Sequence, residues 1–483
     1  MFEVTAGRLA SWTKGELIGG FLTARVSGVC VDSRRVKPGD LFIPLKGEHR
    51  DGHDYILSAV EAGASGFLTE KPGGDVSLAI SKGAFAIEVE SSLDALQRIA
   101  REYGRTLDVT VVGITGSTGK TTAREMAASV LRKRFKVVSS EKNFNNEIGL
   151  PLTILSAGPE TEIVVVEMAM RGKGQIARLA EIARPQIGLV TGIGCAHLEL
   201  LGTEKAIAEA KAELLRSLPA DGAAALNADN PWTPYLAQTT SADVTTFGIF
   251  GGDLKAERIE IDLFGRPTFK IVGRGISEKV CLPVPGRHNV YNALAAASIA
   301  SILGLEPSEI AVGLAETKLP EMRMEILTTA EGVTLLNDAY NANPESMSAG
   351  LTALSDMRLS GRRIAVLGDM LELGRAADEC HLAIGREAAD KKIDLLVTVG
   401  ELGKLIAEGA RRAGLDRGRV ISFDSPEAAG MYLSENVKGG DAVLLKASRG
   451  VGLERAVEAL LREMRLAPAP LADCDGVDIS NGE

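Results

Sequence analysis

Apolar residues in this chain gather into short runs separated by amphipathic segments. Residues 1–107 open with short alternating strands and turns. VDSRRVKPGDLFIPLKG carries a Pro-Gly turn between extended segments, and DGHDYILSAVEAGA predicts a helix capped by Asp51 or Asp54 and ended by Gly63, before the strand SGFLTE. A further helix near 94–103 runs to Gly104. From Asp108 the pattern changes. DVTVVGITG is an unbroken apolar strand, a glycine loop follows it, and TTAREMAASVLRKR reads as a helix. TEIVVVEMAM and IGLVTGIG are further buried strands, and strands alternating with helices predict βαβ units in a parallel sheet. The polar, glycine-rich stretch 251–287 reads as antiparallel, and HNVYNALAAASIASILG reads as an alanine-rich helix, with Pro307 and Pro320 punctuating its exit. Beyond it, the strands RRIAVLGD, DLLVTVG, RVISFD and DAVLLKA alternate with helices, the last being LERAVEALLREM.

The pattern predicts an α/β chain of three domains. These are a small N-terminal α/β domain (1–107), a central parallel-sheet domain (108–320) and a C-terminal Rossmann-like α/β domain (321–465). The last domain has no GxGxxG, so dinucleotide binding is not implied. The proline-rich, acidic stretch 466–483 predicts a disordered tail.

Composition narrows the function. Of 483 residues 53 are glycine, with no Gly-X-Y period or Gly/Ser run, which favours turns and ligand loops over fibres or linkers. The 54 basic and 64 acidic residues give a net charge of −10, opposite to that of a general nucleic-acid binder, so an anionic ligand needs a local cationic site. Cys30, Cys195, Cys281, Cys380 and Cys474 are scattered without a CxxC pair, which argues against a zinc site or disulfide framework. No apolar run is long enough to span a membrane, and the first residues lack a basic segment followed by an apolar stretch, so a cytoplasmic location is expected.

The sharpest local signal is the run from Gly113 through Thr122, GITGSTGKTT, between a strand and a helix. This is the context of a phosphate loop: backbone N–H groups bared at Gly116 and Gly119 face phosphate oxygens, Lys120 supplies a charge to the β- and γ-phosphates, and the Thr121 hydroxyl can ligate Mg²⁺. The strict GxxxxGKS/T spacing is not met, since Ile114 stands where glycine is usual and Gly113 lies one place early. In the same domain Glu167 closes the strand EIVVVE, where a magnesium-binding acid is expected, and His197 follows IGLVTGIGCAH. Lys211, in AIAEAKAELLRSL, reads on composition alone as a surface helix lysine.

Together these segments resemble the Mur ligases, ATP-dependent amide ligases of the peptidoglycan precursor. TGSTGKTT is similar to their TGTNGKTT loop, and the likeness runs from about Val31 to Arg465. KNFNNEIGLPLTIL, HLELLGTEKAIAEAKAELL, PGRHNVYNALAA, NDAYNANPESM and GDMLELG resemble the branch that adds D-alanyl-D-alanine to UDP-N-acetylmuramoyl-tripeptide, and the opening DSRRVKPGDLFIPLKGEHRDGHDYI resembles its uridine-nucleotide domain. The branch that adds a diamino acid usually carries a DNPR-type motif, and none occurs here. That branch, a folylpolyglutamate-type ligase and a non-catalytic P-loop switch are the competing readings.

The resemblance implies that the central domain is a P-loop ATPase domain using ATP and two Mg²⁺ ions. It implies that Lys211 is carbamylated by CO₂ into a metal ligand, and that Thr121, Glu167 and His197 complete the metal sites, with Lys120, His197 and Lys211 catalytic. Thr115, Gly116, Ser117, Thr118, Gly119, Lys120, Thr121 and Thr122 would hold the phosphates; Asn289 the adenine; Arg323 the γ-phosphate; Asp338 the ribose; Asn292 and Tyr340 further parts of the nucleotide. Ser33 and Arg34 fall in the match to the uridine-binding strand. Asn145, Asn146, Asn341 and Asn343 are further substrate positions, and Lys446, Ser448 and Arg449 lie in the acceptor-side loop. The partners implied are the two small substrates, without nucleic acid or membrane insertion, and the chain is expected to be a monomer. Two departures stand out: Ser117-Thr118 replaces Thr-Asn, and KASR replaces KGSR, so that Ala447 adds a methyl near the acceptor loop.

Overall fold

The computed structural model describes residues 2–196 and 198–467. Three large sheets organise it, beside a two-stranded pair of Val4–Thr5 with Arg25–Val26. In the N-terminal domain five strands run in the order Glu16–Gly19, Phe85–Glu88, Gly66–Thr69, Asp40–Phe42 and Gly28–Cys30, all parallel except the first pair. The expected single helix after Asp51 is two pieces. Asp51 accepts the His53 N–H and caps a 3₁₀ turn, Gly52–Tyr55, and the α-helix Ile56–Glu61 begins only after it. Histidine, aspartate and tyrosine are indifferent helix formers, so the side-chain cap sets a tighter first turn. Helix Ser92–Gly104, capped by Ser91, leads into the next domain.

The central sheet has nine strands. Val137–Ser139, Ile163–Glu167, Thr110–Thr115, Ile187–Val190, Ala223–Asn227, Asp243–Gly248 and Leu254–Ile261 are parallel neighbours, and Pro267–Gly273 and Ile276–Cys281 extend the edge antiparallel. The stretch read as antiparallel from its polarity is therefore a hairpin on a parallel sheet. Strand Thr110–Thr115 is a switch point: the chain leaves it to one side for Ile163–Glu167 and to the other for Ile187–Val190. Crevices beyond the carboxyl ends of strands at such points are where open α/β sheets bind ligands.

Both faces of this sheet are covered. One face packs on the phosphate-loop helix Lys120–Leu131 and on Asn289–Ile302, whose Ala293, Ala296, Ala297 and Ala300 are buried in one core. The other face shares a continuous core with the N-terminal domain, in which Ile99 and Tyr103 join Leu150 and Ile154, and Tyr103 donates to the Ala157 carbonyl at 2.8 Å.

The C-terminal sheet runs Glu325–Thr328, Thr334–Asn337, Ala442–Lys446, Arg363–Gly368, Leu395–Val399 and Val420–Phe423, parallel after an antiparallel first pair. Of the stretch read as a tail, Leu466 and Ala467 lie against Thr328 and Thr329 in a short antiparallel bridge, and 468–483, with Cys474, lies outside the described residues. Among the described residues no helix is long and apolar enough to cross a membrane, and Cys30, Cys195, Cys281 and Cys380 are free thiols.

Candidate functional site

The glycine loop turns from strand to helix by two positive-φ glycines. Gly116 (φ +152°) lies against Thr191, and Gly119 (φ +78°) caps the helix that starts at Lys120. A Cβ on Gly119 would stand 2.4 Å from Asn292 Oδ1, so the loop's backbone approach to that side chain depends on glycine twice over. The Thr115 hydroxyl is buried on the Met168 carbonyl at 2.8 Å, and the Thr118 carbonyl accepts the Thr191 hydroxyl at 2.6 Å. Ser117 exchanges hydrogen bonds with Gly194: the Gly194 N–H donates to Ser117 Oγ at 2.9 Å, and Oγ donates to the Gly194 carbonyl at 3.2 Å. The substitution of Ser-Thr for Thr-Asn thus leaves a loop pinned by its own hydroxyl.

Two lysines converge on one carbonyl. Lys120 Nζ and Lys211 Nζ each donate to Gly116 O at 2.8 Å. Lys211 is 1% exposed, so it is not the surface lysine its helix suggests. Burial, and then the neighbouring Lys120 charge, push the Lys211 ammonium well below its usual range; burial likewise lowers Lys120, against Glu167 and Glu345 and with Arg323.

Glu167, buried at the carboxyl end of its strand, accepts the Thr121 hydroxyl at 2.9 Å and the Asn145 amide at 2.9 Å. The register that pairs Glu167 with Ile114 brings the acid to the loop. Arg124, fully buried one turn into the phosphate-loop helix, donates to Glu167 Oε2 at 3.4 Å and to the Lys142 carbonyl at 2.9 Å. Sequence reasoning passed over Arg124, although an arginine amid Ala123, Met126 and Ala127 on a buried helix face is a legible signal.

A cavity of about 430 Å³ joins these residues to the C-terminal domain. Ser117 to Thr122, Asn145 and Glu167 line it from one side, with Asn289 and Asn292; Arg323, Asp338, Tyr340, Asn341, Asn343 and Lys446 line it from the other. Arg323 stacks on the Tyr340 ring at 4.0 Å and donates to Thr121 Oγ1 at 3.4 Å, tying the two domains across the site. Lys446, at the carboxyl end of a central strand, is ion-paired to Asp338 and donates to the Asn341 carbonyl at 3.0 Å. The cavity also holds residues not picked out from the sequence: Thr191, His288, whose ring burial pushes down to about 4, and Glu345, whose carboxyl burial pushes up against the opposing Cys195 N–H.

Other expected site residues lie elsewhere. Asn146 lies just before helix Gly149–Leu155, accepting the Gly149 N–H at 2.9 Å. Ser448 is buried between the Ala342 carbonyl and the Leu371 N–H, while Arg449 pairs with Glu454 and lies 5.9 Å from the Tyr340 ring. Ser33 and Arg34 sit in a 3₁₀ turn of the N-terminal domain, where Arg34 is doubly bonded to Asp32 and holds its carboxyl down at about 2; neither lines the cavity. The Ala447 methyl is buried in the C-terminal core against Gly368, so it does not narrow the site. His197 lies outside the described residues. A more open groove of about 580 Å³ runs between helix Ser92–Gly104 and helices Gln175–Ala183 and Glu204–Arg216, and holds none of the phosphate-loop residues.

Similarity to known proteins accords with this geometry. Residues 25–104, 114–300 and 322–449 match, respectively, the family models for the Mur ligase family catalytic domain, the Mur ligase middle domain and the Mur ligase glutamate ligase domain. The chain is 36% identical over 464 residues to the UDP-N-acetylmuramoyl-tripeptide–D-alanyl-D-alanine ligase of Bacillus subtilis, covering 95% of this chain and 99% of that protein. The Escherichia coli protein of the same name is 34% identical over 95% of this chain and 99% of its own. Among solved structures, MurF of Acinetobacter baumannii superposes with a TM-score of 0.86 at 28% identity, over 96% of this chain and 99% of that one. MurF of Thermotoga maritima in complex with ADP gives 0.78 at 30% identity, over 91% and 98%.

Proposed function

The chain belongs to the Mur ligase family, and we infer from this that it joins D-alanyl-D-alanine to UDP-N-acetylmuramoyl-tripeptide at the expense of ATP, in cytoplasmic peptidoglycan precursor synthesis. The observation that carries the reading is the shared cavity, with the phosphate-loop Lys120 on one wall and Arg323, Asp338 and Lys446 of the next domain on the other. A hydrolytic switch needs only the first wall.

A carboxylate is a poor acyl donor. The tripeptide's terminal carboxylate attacks the γ-phosphorus of ATP, ADP leaves, and the acyl phosphate formed is attacked by the dipeptide's neutral amine. An amide forms, phosphate departs and the amine's proton is released. Lys120 and Arg323 neutralise the phosphoryl oxygens as they transfer. Asn289, Asn292 and Tyr340 hold the nucleotide, Asp338 binds its ribose, and the 1–107 domain takes the uridine nucleotide through Ser33 and Arg34. The 321–465 domain presents the acceptor through Asn341, Asn343 and Lys446, and the enzyme works as a monomer. The cavity's two walls keep water from the acyl phosphate.

The donor set fits magnesium. The Thr121 hydroxyl and Glu167 carboxylate, 2.9 Å apart, are hard oxygen donors, and Asn145 orients the acid. Among the described residues no three acidic, His or Cys side chains converge, so a further anionic donor must come from elsewhere. Lys211 supplies it: a buried amine beside a second cation is readily neutral, and a neutral amine adds to CO₂, losing a proton and leaving a carbamate with two oxygen donors. With His197, these groups hold two Mg²⁺ ions, which when bound neutralise the triphosphate.

Phosphate release from ATP with UDP-N-acetylmuramoyl-tripeptide, with and without D-alanyl-D-alanine, tests the reading. Release that rises only with the dipeptide is expected, and release indifferent to it would overturn the assignment.

A further inference from the structure

Beyond that chemistry, one carboxylate in the cavity makes its hydrogen bond across the domain boundary. Glu345 is the second residue of helix Pro344–Asp356, which Asn343 and Ser346 cap reciprocally, so its place at the mouth of the C-terminal domain is rigid. Its side chain crosses to the central domain and Oε1 accepts the Cys195 N–H at 2.7 Å. It lies on Gly194 so closely that a Cβ there would stand 1.8 Å from Oε1 and 2.4 Å from Oε2. Gly194 in turn is the residue that exchanges hydrogen bonds with Ser117 of the phosphate loop, and the Ser117 N–H donates to Gly192 O at 2.9 Å. The turn 192–195 is further tied down where Asn230 donates to Ile193 O at 2.9 Å. The same two domains also meet where Gly374 packs on Glu199.

We infer that Glu345 is a positioning residue: it clasps the acceptor-side domain onto the Gly194–Cys195 turn, and through that turn onto Ser117, so that the acceptor site is registered against the phosphate loop. Three features support this over incidental contact. The bond is charge-assisted, which makes it stronger than a neutral contact. It spans about 150 residues of chain and joins two domains that each have their own core. The partner surface is a glycine that leaves the carboxylate its room, so the fit is made from both sides. Losing the clasp leaves the reacting geometry intact but lowers the population of the assembled state, and apparent affinity for the acceptor falls in proportion.

The inference rests on the ligase reading, and its test separates the two. In Glu345→Ala the KM for D-alanyl-D-alanine is expected to rise about ten- to a hundredfold, the range for a lost charged hydrogen bond, with kcat within about threefold of wild type. Glu345→Gln keeps an oxygen acceptor for the Cys195 N–H but not its charge, so its KM should fall between those of wild type and Glu345→Ala. Gly194→Ala drives a methyl into the carboxylate and should mimic Glu345→Ala, yet add nothing further in the double variant, because the carboxylate it strikes is gone. An unchanged dipeptide KM in Glu345→Ala, a fall in kcat alone, a Glu345→Gln variant as impaired as Glu345→Ala, or additive losses in the double variant would each overturn the clasp. If wild type shows no dipeptide-dependent turnover, the ligase reading fails, and small-angle scattering of the full chain decides the clasp. A larger radius of gyration in Glu345→Ala than in wild type supports it, and an unchanged one refutes it.

Discussion

Replacing Arg124 by Met would remove the one cation in hydrogen-bonding contact with the buried Glu167 among the described residues, and the structure sets the size of the effect. Both side chains are essentially without solvent, at 0% and 2% exposure, so water cannot replace the lost partner. Removing one member of a buried pair costs about 3–5 kcal/mol, because the other charge is left uncompensated. Part of this is returned, since Arg124 Nε has no hydrogen-bond partner among the described residues and an unmet buried donor costs about 1–3 kcal/mol. Methionine fills the stem's volume and keeps helix propensity. The net loss is centred on about 2 kcal/mol, or about 4–8 °C in the melting of a domain of this size. Differential scanning calorimetry of the full chain, without nucleotide at pH 8, reads it. Magnesium with ADP should stabilise the variant more than wild type, since a bound cation takes over the arginine's role. A variant that melts with wild type at pH 8, or one that gains no more than wild type from magnesium, would refute the argument that Arg124 holds the charge of Glu167.

Two further outcomes follow from the same site. Lys211→Ala should abolish ligation and regain part of it with millimolar formate or acetate, which supply the missing carboxylate; a fully active variant, or one that no short carboxylate rescues, argues against the carbamate. His288 is pushed down to about 4 by burial, so between about pH 6.5 and 4 the unfolded chain binds the extra proton, and stability is lost as pH falls through that window. The loss is at most about 3 kcal/mol; denaturation midpoints measured across the window in wild type and His288→Gln check it, and an equal decline in both would exclude His288 as its source.

Much of the site was legible because its signals are local. Gly116, Gly119, Lys120 and Thr121 follow one another between a strand and a helix, and the backbone requirements of a phosphate loop are written in consecutive residues. The 3₁₀ turn after Asp51 was missed for the converse reason, as a side-chain cap there competes with helix propensity over only four residues. Lys211 shows the limit more sharply. Its helix reads as amphipathic with an exposed lysine, and nothing within thirteen residues of helix says that the face carrying it is pressed against Gly116, 95 positions away.

The amino-acid sequence by itself determined the three α/β domains, the alternation of buried strands with helices, and the glycine-rich strand–loop–helix, since each depends on periodicity or on neighbours a few residues apart. Only the tertiary structure decided which charges meet. Glu167 reaches Thr121 because Ile163–Glu167 pairs beside Thr110–Thr115, and Glu345 reaches Cys195 because a second sheet docks at the carboxyl ends of the first. Sheet order and domain docking are set by burial summed over whole cores, in which no single residue carries the choice. The buried Arg124, the paired lysines on Gly116 and the Glu345 clasp therefore exist only once those cores have formed.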